Sequence, residues 1–329
     1  MKITEWAIVF VLIAGPFFWA SSLRADNRME TLILEQRYNA ALRTSAMDGA
    51  SMLNVNELPS YEAGYASSKF FRVDKQAGLE AMLHTLYVNF HVEDDPAGQL
   101  ALLDYIPAVV VIDYDGYSIY GVQDLTGPNG EAESKHAWFP KKPYAYQDAS
   151  GNVLSFTLDN RLTMFDRTAG LFLHGRSEEI AAFSSDELLG DTELLDSLRR
   201  TTIVTSIERD LEAVISKHNQ YTSRIGITYT FTLPLISGED WNNTLDDAGM
   251  IVFLQGIPIG DRYYNNFAMG GGRLLKRYPV LGGVDEATGI KYYYRAPCGS
   301  LYRTEETFAS ERDAAAKGYF EAKCTNEGG

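Results

Sequence analysis

The 329-residue chain carries 44 acidic against 29 basic side chains, a formal charge of −15 and a pI near 4.8. That balance leaves nothing to neutralise a phosphate backbone and excludes nucleic acid as a partner. Hydrophobic residues make up 45% and aromatics 12%, with 20 tyrosines, so the chain can build a packed core and is not of disordered composition. Its length suits one large domain or two modest ones.

From Trp6 to Leu23 no side chain is charged. A helix of that length spans about 27 Å, close to the roughly 30 Å hydrocarbon core of a bilayer. The following stretch, LRADNRMETLILEQRYNAALRTSAMDGASML, has no proline and a single glycine, Gly49. Met29, Leu32, Ile33, Ala40, Ala41, Ala46, Ala50 and Leu53 recur mostly at three- and four-residue steps, the signature of an amphipathic helix. Residues 1–54 are therefore expected to form one helix, a transmembrane segment continued by a stem that ends near Asn54. Pro16 is a place for a kink. Two alternatives stand beside this: an export signal cleaved after Ala20-Ser21-Ser22, and an ordinary helix packed on its own domain. Lys2 precedes the apolar run while Arg24 and Arg28 follow it, which by the positive-inside rule favours a cytoplasmic head. Long domains cross regardless of such charges, so the expectation is a chain anchored in membrane lipid by one N-terminal helix with its bulk extracytoplasmic.

Glu5 stands at the edge of the apolar run, and the helix later becomes amphipathic and Ala-rich through Tyr38-Asn39-Ala40-Ala41-Leu42. This arrangement resembles the N-terminal helix of type IV pilin-like proteins, above all the pseudopilin-like components of tight-adherence (Tad) pilus systems. The resemblance covers about 55 residues. It implies that the apolar helices of neighbouring subunits bundle in a filament core, and that Glu5 pairs with a neighbour's terminal amine. Independently of any family, a carboxylate beside hydrocarbon is costly unless paired.

Beyond a polar, aromatic connector at residues 61–70, DKQAGLEAMLHTLYVNFHV has Leu79, Met82, Leu83, Leu86 and Phe90 on one helical face, with His84 and His91 incidental. Glu93-Asp94-Asp95-Pro96 suits a helix N-terminus. Ala108–Ile112 and Ser118–Val122 flank the turn residues Tyr114-Asp115-Gly116-Tyr117 and predict a hairpin, in which Asp113 and Asp115 serve the turn. Trp138–Tyr146, Val153–Leu158 and Arg161–Phe165, separated by turn residues, predict an antiparallel meander. Residues 185–219 read as helix, with Leu198, Ile203, Ile207, Leu211, Val214 and Ile215 as its apolar stripe. ITYTFTL, within Gly226–Leu233, alternates as a strand, and Met250–Leu254 is a short apolar run. Gly270-Gly271-Gly272-Arg273 lacks the spacing of a phosphate loop and is taken as a turn.

The two cysteines, Cys298 and Cys324, lie in the last 32 residues and are too few for a zinc site. They predict a disulfide closing a small terminal unit. The tail from Tyr292 reads as a strand, a loop, a helix capped at Ser310 and a stop at Gly318. Tyr293, Arg295, Cys298, Thr307, Phe308, Ser310, Ala314, Gly318, Tyr319 and Cys324 are similar in layout to an Ada-type metal-binding module. Tyr294 occupies the histidine position of that pattern and one cysteine closes it where the pattern has two, so the resemblance implies the fold without the metal.

The expected fold is therefore α+β: residues 1–54 as anchor and stem, 55–285 as a head of antiparallel hairpins and packed helices, and 286–329 as a disulfide-stapled ββα-like unit. No nucleophile elbow, zinc-helix motif or dinucleotide fingerprint occurs, and the five histidines have no ligand spacing. The expected function is a structural component of a pilus or secretion apparatus, with pilin-like subunits as partners, no cofactor and no enzymatic activity. The alternative is a binding module, anchored or secreted, with no filament role. An enzyme would need dispersed residues such as Asp113, Asp115 and His136.

Overall fold

The apolar run of the first hairpin becomes strand β1 (Val109–Asp113), the middle of a five-stranded antiparallel sheet. The computed structural model describes residues 3–53, 65, 67, 69–70, 73–126, 130–182, 187–271, 280–286, 288–295, 302–308 and 311–322, with backbone alone at 3–27, 132, 187–188, 243, 295 and 311–313. The chain divides into two units, Met1–Leu274 and Leu275–Gly329.

In the first unit β1 is flanked by β2 (Gly116–Thr126) and β8 (Gly249–Ile259), and outside them lie β3 (Ala132–Trp138) and β9 (Arg262–Gly271). Alternation along β1 and β8 sends side chains to two cores. Val109, Val111, Met250, Val252 and Leu254 meet helices α1 (Ile3–Met52) and α2 (Lys75–Phe90). Val110, Ile112, Ile251 and Phe253 meet Ile203, Ile207 and Leu211 of α5 (Thr192–Arg224). A strand covered on both faces has no solvent side to keep polar, which is why it reads as unbroken Val and Ile. Each such side chain contributes about 1.5–3 kcal/mol by leaving water.

The meander forms a second antiparallel sheet, β4 (Tyr144–Gln147), β5 (Val153–Phe156), β6 (Arg161–Asp166) and β7 (Leu171–Arg176), in sequence order. Its inward residues Leu154, Phe156, Leu162 and Met164 join the α5 core. Short helices α3 (Pro96–Leu103), α4 (Ser177–Ala181) and α6 (Gly238–Thr244) complete the unit. Asp95 caps α3 by accepting from Ala97 N at 3.1 Å, as the acidic run before Pro96 anticipated.

Three expectations are corrected. First, ITYTFTL is not a strand: residues 227–237 carry no ladder. Side-chain amides take the place of a neighbouring strand. Asn219 accepts from Phe231 N at 2.8 Å and donates to Phe231 O at 2.9 Å, while Gln255 accepts from Thr232 N at 3.2 Å and donates to Thr232 O at 2.8 Å. Second, among the described residues no helix is long and apolar enough to cross a membrane. The side chains of Trp6–Leu23, on which the transmembrane segment was expected, lie outside those described, and the described part of α1 carries Arg28, Glu30, Glu35, Arg37, Arg43 and Asp48. Anchoring in membrane lipid and the extracytoplasmic placement that followed from it are withdrawn. Third, the disulfide staple has no support: Cys298 and Cys324 lie outside the described residues, and no disulfide is present among them.

The second unit has its own core instead. Strands β10 (Val280–Val284), β11 (Lys291–Arg295), β12 (Thr304–Phe308) and β13 (Phe320–Glu321) form a sheet of order β12-β10-β11-β13, parallel only between β11 and β13. Helix α7 (Glu311–Ala316) buries Ala314 with Val280, Phe308 and Tyr319. Gly318 ends the helix at φ 82°, with Tyr319 N bonded to Ala314 O at 3.1 Å.

Candidate assembly surface

Helix α1 is built as two different objects. From Glu35 onward it is part of the head. Ala41, Leu42, Ala46, Ala50 and Leu53 are buried at four-, three- and one-residue steps against β8, β9 and α2. Small residues let backbones approach: a Cβ on Gly270 of β9 would lie 2.0 Å from Ala46 O. Polar contacts fix the register. Asn39 Oδ1 accepts from Tyr264 OH at 2.7 Å and Asn266 Nδ2 at 2.6 Å, and Arg262 reaches Glu35 at 2.6 Å. Tyr38 stacks on Phe90 with ring centres 4.9 Å apart.

Toward the N-terminus the same helix leaves apolar side chains in solvent. Met29, Leu32 and Ile33 are 60%, 50% and 57% exposed. Beside them, Arg28, Glu30, Thr31, Leu32 and Leu34 and the β8–β9 turn at Gly260–Arg262 border an open groove of about 1090 Å³, whose charges are Arg28, Glu30, Asp261 and Arg262. Two are of each sign, so the groove has no net charge to select a highly charged ligand. Glu5, the residue the resemblance assigns to subunit pairing, lies in α1, and its side chain is outside those described.

The carboxylates flagged at the first hairpin come together, but as a structural clamp. Lys141 Nζ lies 2.6 Å from Asp113 Oδ2 and also bonds Asp115 Oδ1. Burial pushes the Asp113 carboxyl above the usual carboxylate range, although the Lys141 ammonium and the Tyr114 N–H work the other way. Burial works against the Lys141 charge too, yet the two carboxylates outweigh it and raise its pKa. The ammonium fills the space between the acids, so neither is free to act as a base. His136 does not join them; it sits against His218 of α5, ring centres 5.7 Å apart.

The sequence passed over Asp159, read only as a turn residue. Its Oδ1 accepts from Tyr114 OH at 2.8 Å, Thr157 Oγ at 2.9 Å and Arg161 N at 2.9 Å, and Oδ2 from Ser67 Oγ at 2.5 Å. Burial opposes its charge, but those four donors prevail and hold the carboxyl below its ordinary range. Thr157 and Arg161 flank it in its own turn, whereas Ser67 and Tyr114 come from two distant segments that only folding brings to the same point. Nearby, a cavity of about 200 Å³ has a floor of Phe156, Leu158, Leu162 and Leu195. On its rim Asp196 holds Arg199 at 2.5 Å, and Asp196 and Asp246 hold Arg200 at 3.0 and 2.9 Å. Among the described residues no three His, Cys, Asp or Glu side chains gather to hold a metal ion.

The chain matches no protein-family model, no curated protein and no solved structure.

Proposed function

We propose that this protein is a structural subunit that assembles with pilin-like partners through the N-terminal part of α1, as a component of a pilus or secretion apparatus. The observation that carries the reading is the division of α1: Ala41, Leu42, Ala46, Ala50 and Leu53 are buried in the head, while Met29, Leu32 and Ile33 are exposed on a helix that continues to Ile3. Burying three such side chains against a neighbour contributes about 1.5–3 kcal/mol each before the cost of association. The charge-free run Trp6–Leu23 extends the apolar supply along the same helix. The head supports a structural rather than enzymatic role, because its carboxylates at Asp113, Asp115 and Asp159 are engaged by an ammonium or by hydrogen-bond donors. Glu5 pairs with a neighbouring subunit.

Replacing Glu5→Ala and, separately, Ile33→Asp tests this in the cell of origin and in purified protein. The expected result is loss of incorporation into assemblies and of self-association in sedimentation, with head unfolding temperature unchanged. Normal assembly by both variants overturns the reading. A wild-type chain that stays monomeric and co-purifies with no pilin-like subunit supports a free-standing binding module instead.

A further inference from the structure

Among the described residues only three buried side-chain polar atoms lack a hydrogen-bond partner: Gln123 Nε2, His136 Nε2 and His218 Nδ1. Two of the three belong to one pair of imidazoles. His218 is fully buried on α5, and its Nε2 lies 2.9 Å from Asp104 O. A carbonyl only accepts, so Nε2 carries the proton and Nδ1 is a bare lone pair. His136, on β3, packs against this ring, and its Nε2 likewise has no partner.

Each ring thus keeps one nitrogen that no described protein group engages, and neither nitrogen satisfies the other. An unpaired buried polar atom costs about 1–3 kcal/mol. An imidazole whose second nitrogen donates to a main-chain carbonyl is the arrangement that orients metal-ligating histidines.

The surroundings narrow the ion. Tyr120, Tyr221 and Phe231 pack on the two rings. Asp104 accepts from Tyr221 OH at 3.2 Å, and among the described residues no carboxylate completes a three-ligand cluster with the two rings. A divalent ion buried with two neutral ligands has no compensating charge, and zinc asks for three or four protein ligands. A monovalent ion carries half that charge, so its burial costs far less, and it can be satisfied by two nitrogens. With metal–nitrogen bonds of about 2.0 Å and about 1.1 Å from ring centre to nitrogen, a straight nitrogen–metal–nitrogen bridge puts ring centres about 6 Å apart. The observed separation is 5.7 Å.

We propose that His136 Nε2 and His218 Nδ1 form a buried two-imidazole site for monovalent copper, Cu(I). The test is anaerobic titration of the full chain with Cu(I) against a chromophoric Cu(I) chelator, in a Cys298→Ser, Cys324→Ser background that removes competing thiols. One ion per chain is expected to leave the chelator, with affinity falling at least tenfold in His136→Phe and in His218→Phe and unchanged in His84→Phe. Nitrogen-15 spectra of the unsubstituted histidines provide a second readout that needs no histidine variant to fold: two imidazole signals shift on adding Cu(I), and three do not. Undiminished binding in both phenylalanine variants, no competition with the chelator, or a shift of any other pair of histidines overturns the proposal.

Discussion

The two stretches of α1 on either side of Glu35 have similar apolar content and opposite fates. Ala41–Leu53 offers small residues, which bring the helix backbone against β9 at Gly270 and against α2 at Gly78. Met29–Leu34 offers longer ones, and Met29, Leu32 and Ile33 stay exposed. Helical periodicity describes both stretches equally well, because it reports which residues share a face and not what covers it. What lies opposite separates them. In Ala41–Leu53 one face, with Leu42 and Leu53 beside the small residues, is covered by β8, β9 and α2 while Met47 and Met52 on the other face stay exposed; among the described residues nothing covers Met29, Leu32 and Ile33.

Substitution can break this contrast, most sharply at the close approach. Gly270→Val places a Cβ on the backbone of Ala46, which cannot rotate away. A loss of about 3 kcal/mol or more is expected from overpacking, read as a drop in the urea midpoint of the full chain; an unchanged midpoint breaks the account of α1 as part of the head. One step down, Leu42→Ala empties a fully buried site and is expected to cost about 2–5 kcal/mol. Its counterpart Ile33→Ala is expected to stay within about 0.5 kcal/mol while weakening self-association. Equal destabilisation by the two in thermal unfolding would erase the distinction between the stretches. At the boundary, Glu35→Gln removes an ion pair with Arg262 whose side chains are half exposed. The expected loss is at most about 1 kcal/mol, shrinking further when unfolding is repeated in high salt.

Local signals explain what was legible. The hairpin at Val109–Val122, the helix that became α2, the stripe on α5 and the acidic cap before Pro96 each rest on residues a few positions apart, and each appears where the pattern put it. ITYTFTL failed for the complementary reason. Its alternation is a true strand pattern, but two amides from Asn219 and Gln255 claimed the backbone groups that a neighbouring strand would have used. The candidate sites divide the same way. Asp113 and Asp115 were visible because they flank one turn. Asp159 was not, since its donors Ser67 and Tyr114 are 92 and 45 residues distant. His218 was equally hidden: it lies in a helical stripe and differs from its neighbours only in facing His136, a strand 82 positions earlier in the chain by numbering.

By itself, then, the amino-acid order determined the secondary elements that depend on near neighbours, the net acidity, and the α+β class with antiparallel hairpins. Only the tertiary structure decided which helical face met the sheet, which carboxylates were neutralised, and which two imidazoles were each left with an unpartnered nitrogen. The physical reason is that periodicity and turn chemistry act over a few residues, whereas burial and hydrogen-bond satisfaction are settled by groups that meet only after the chain has closed long loops.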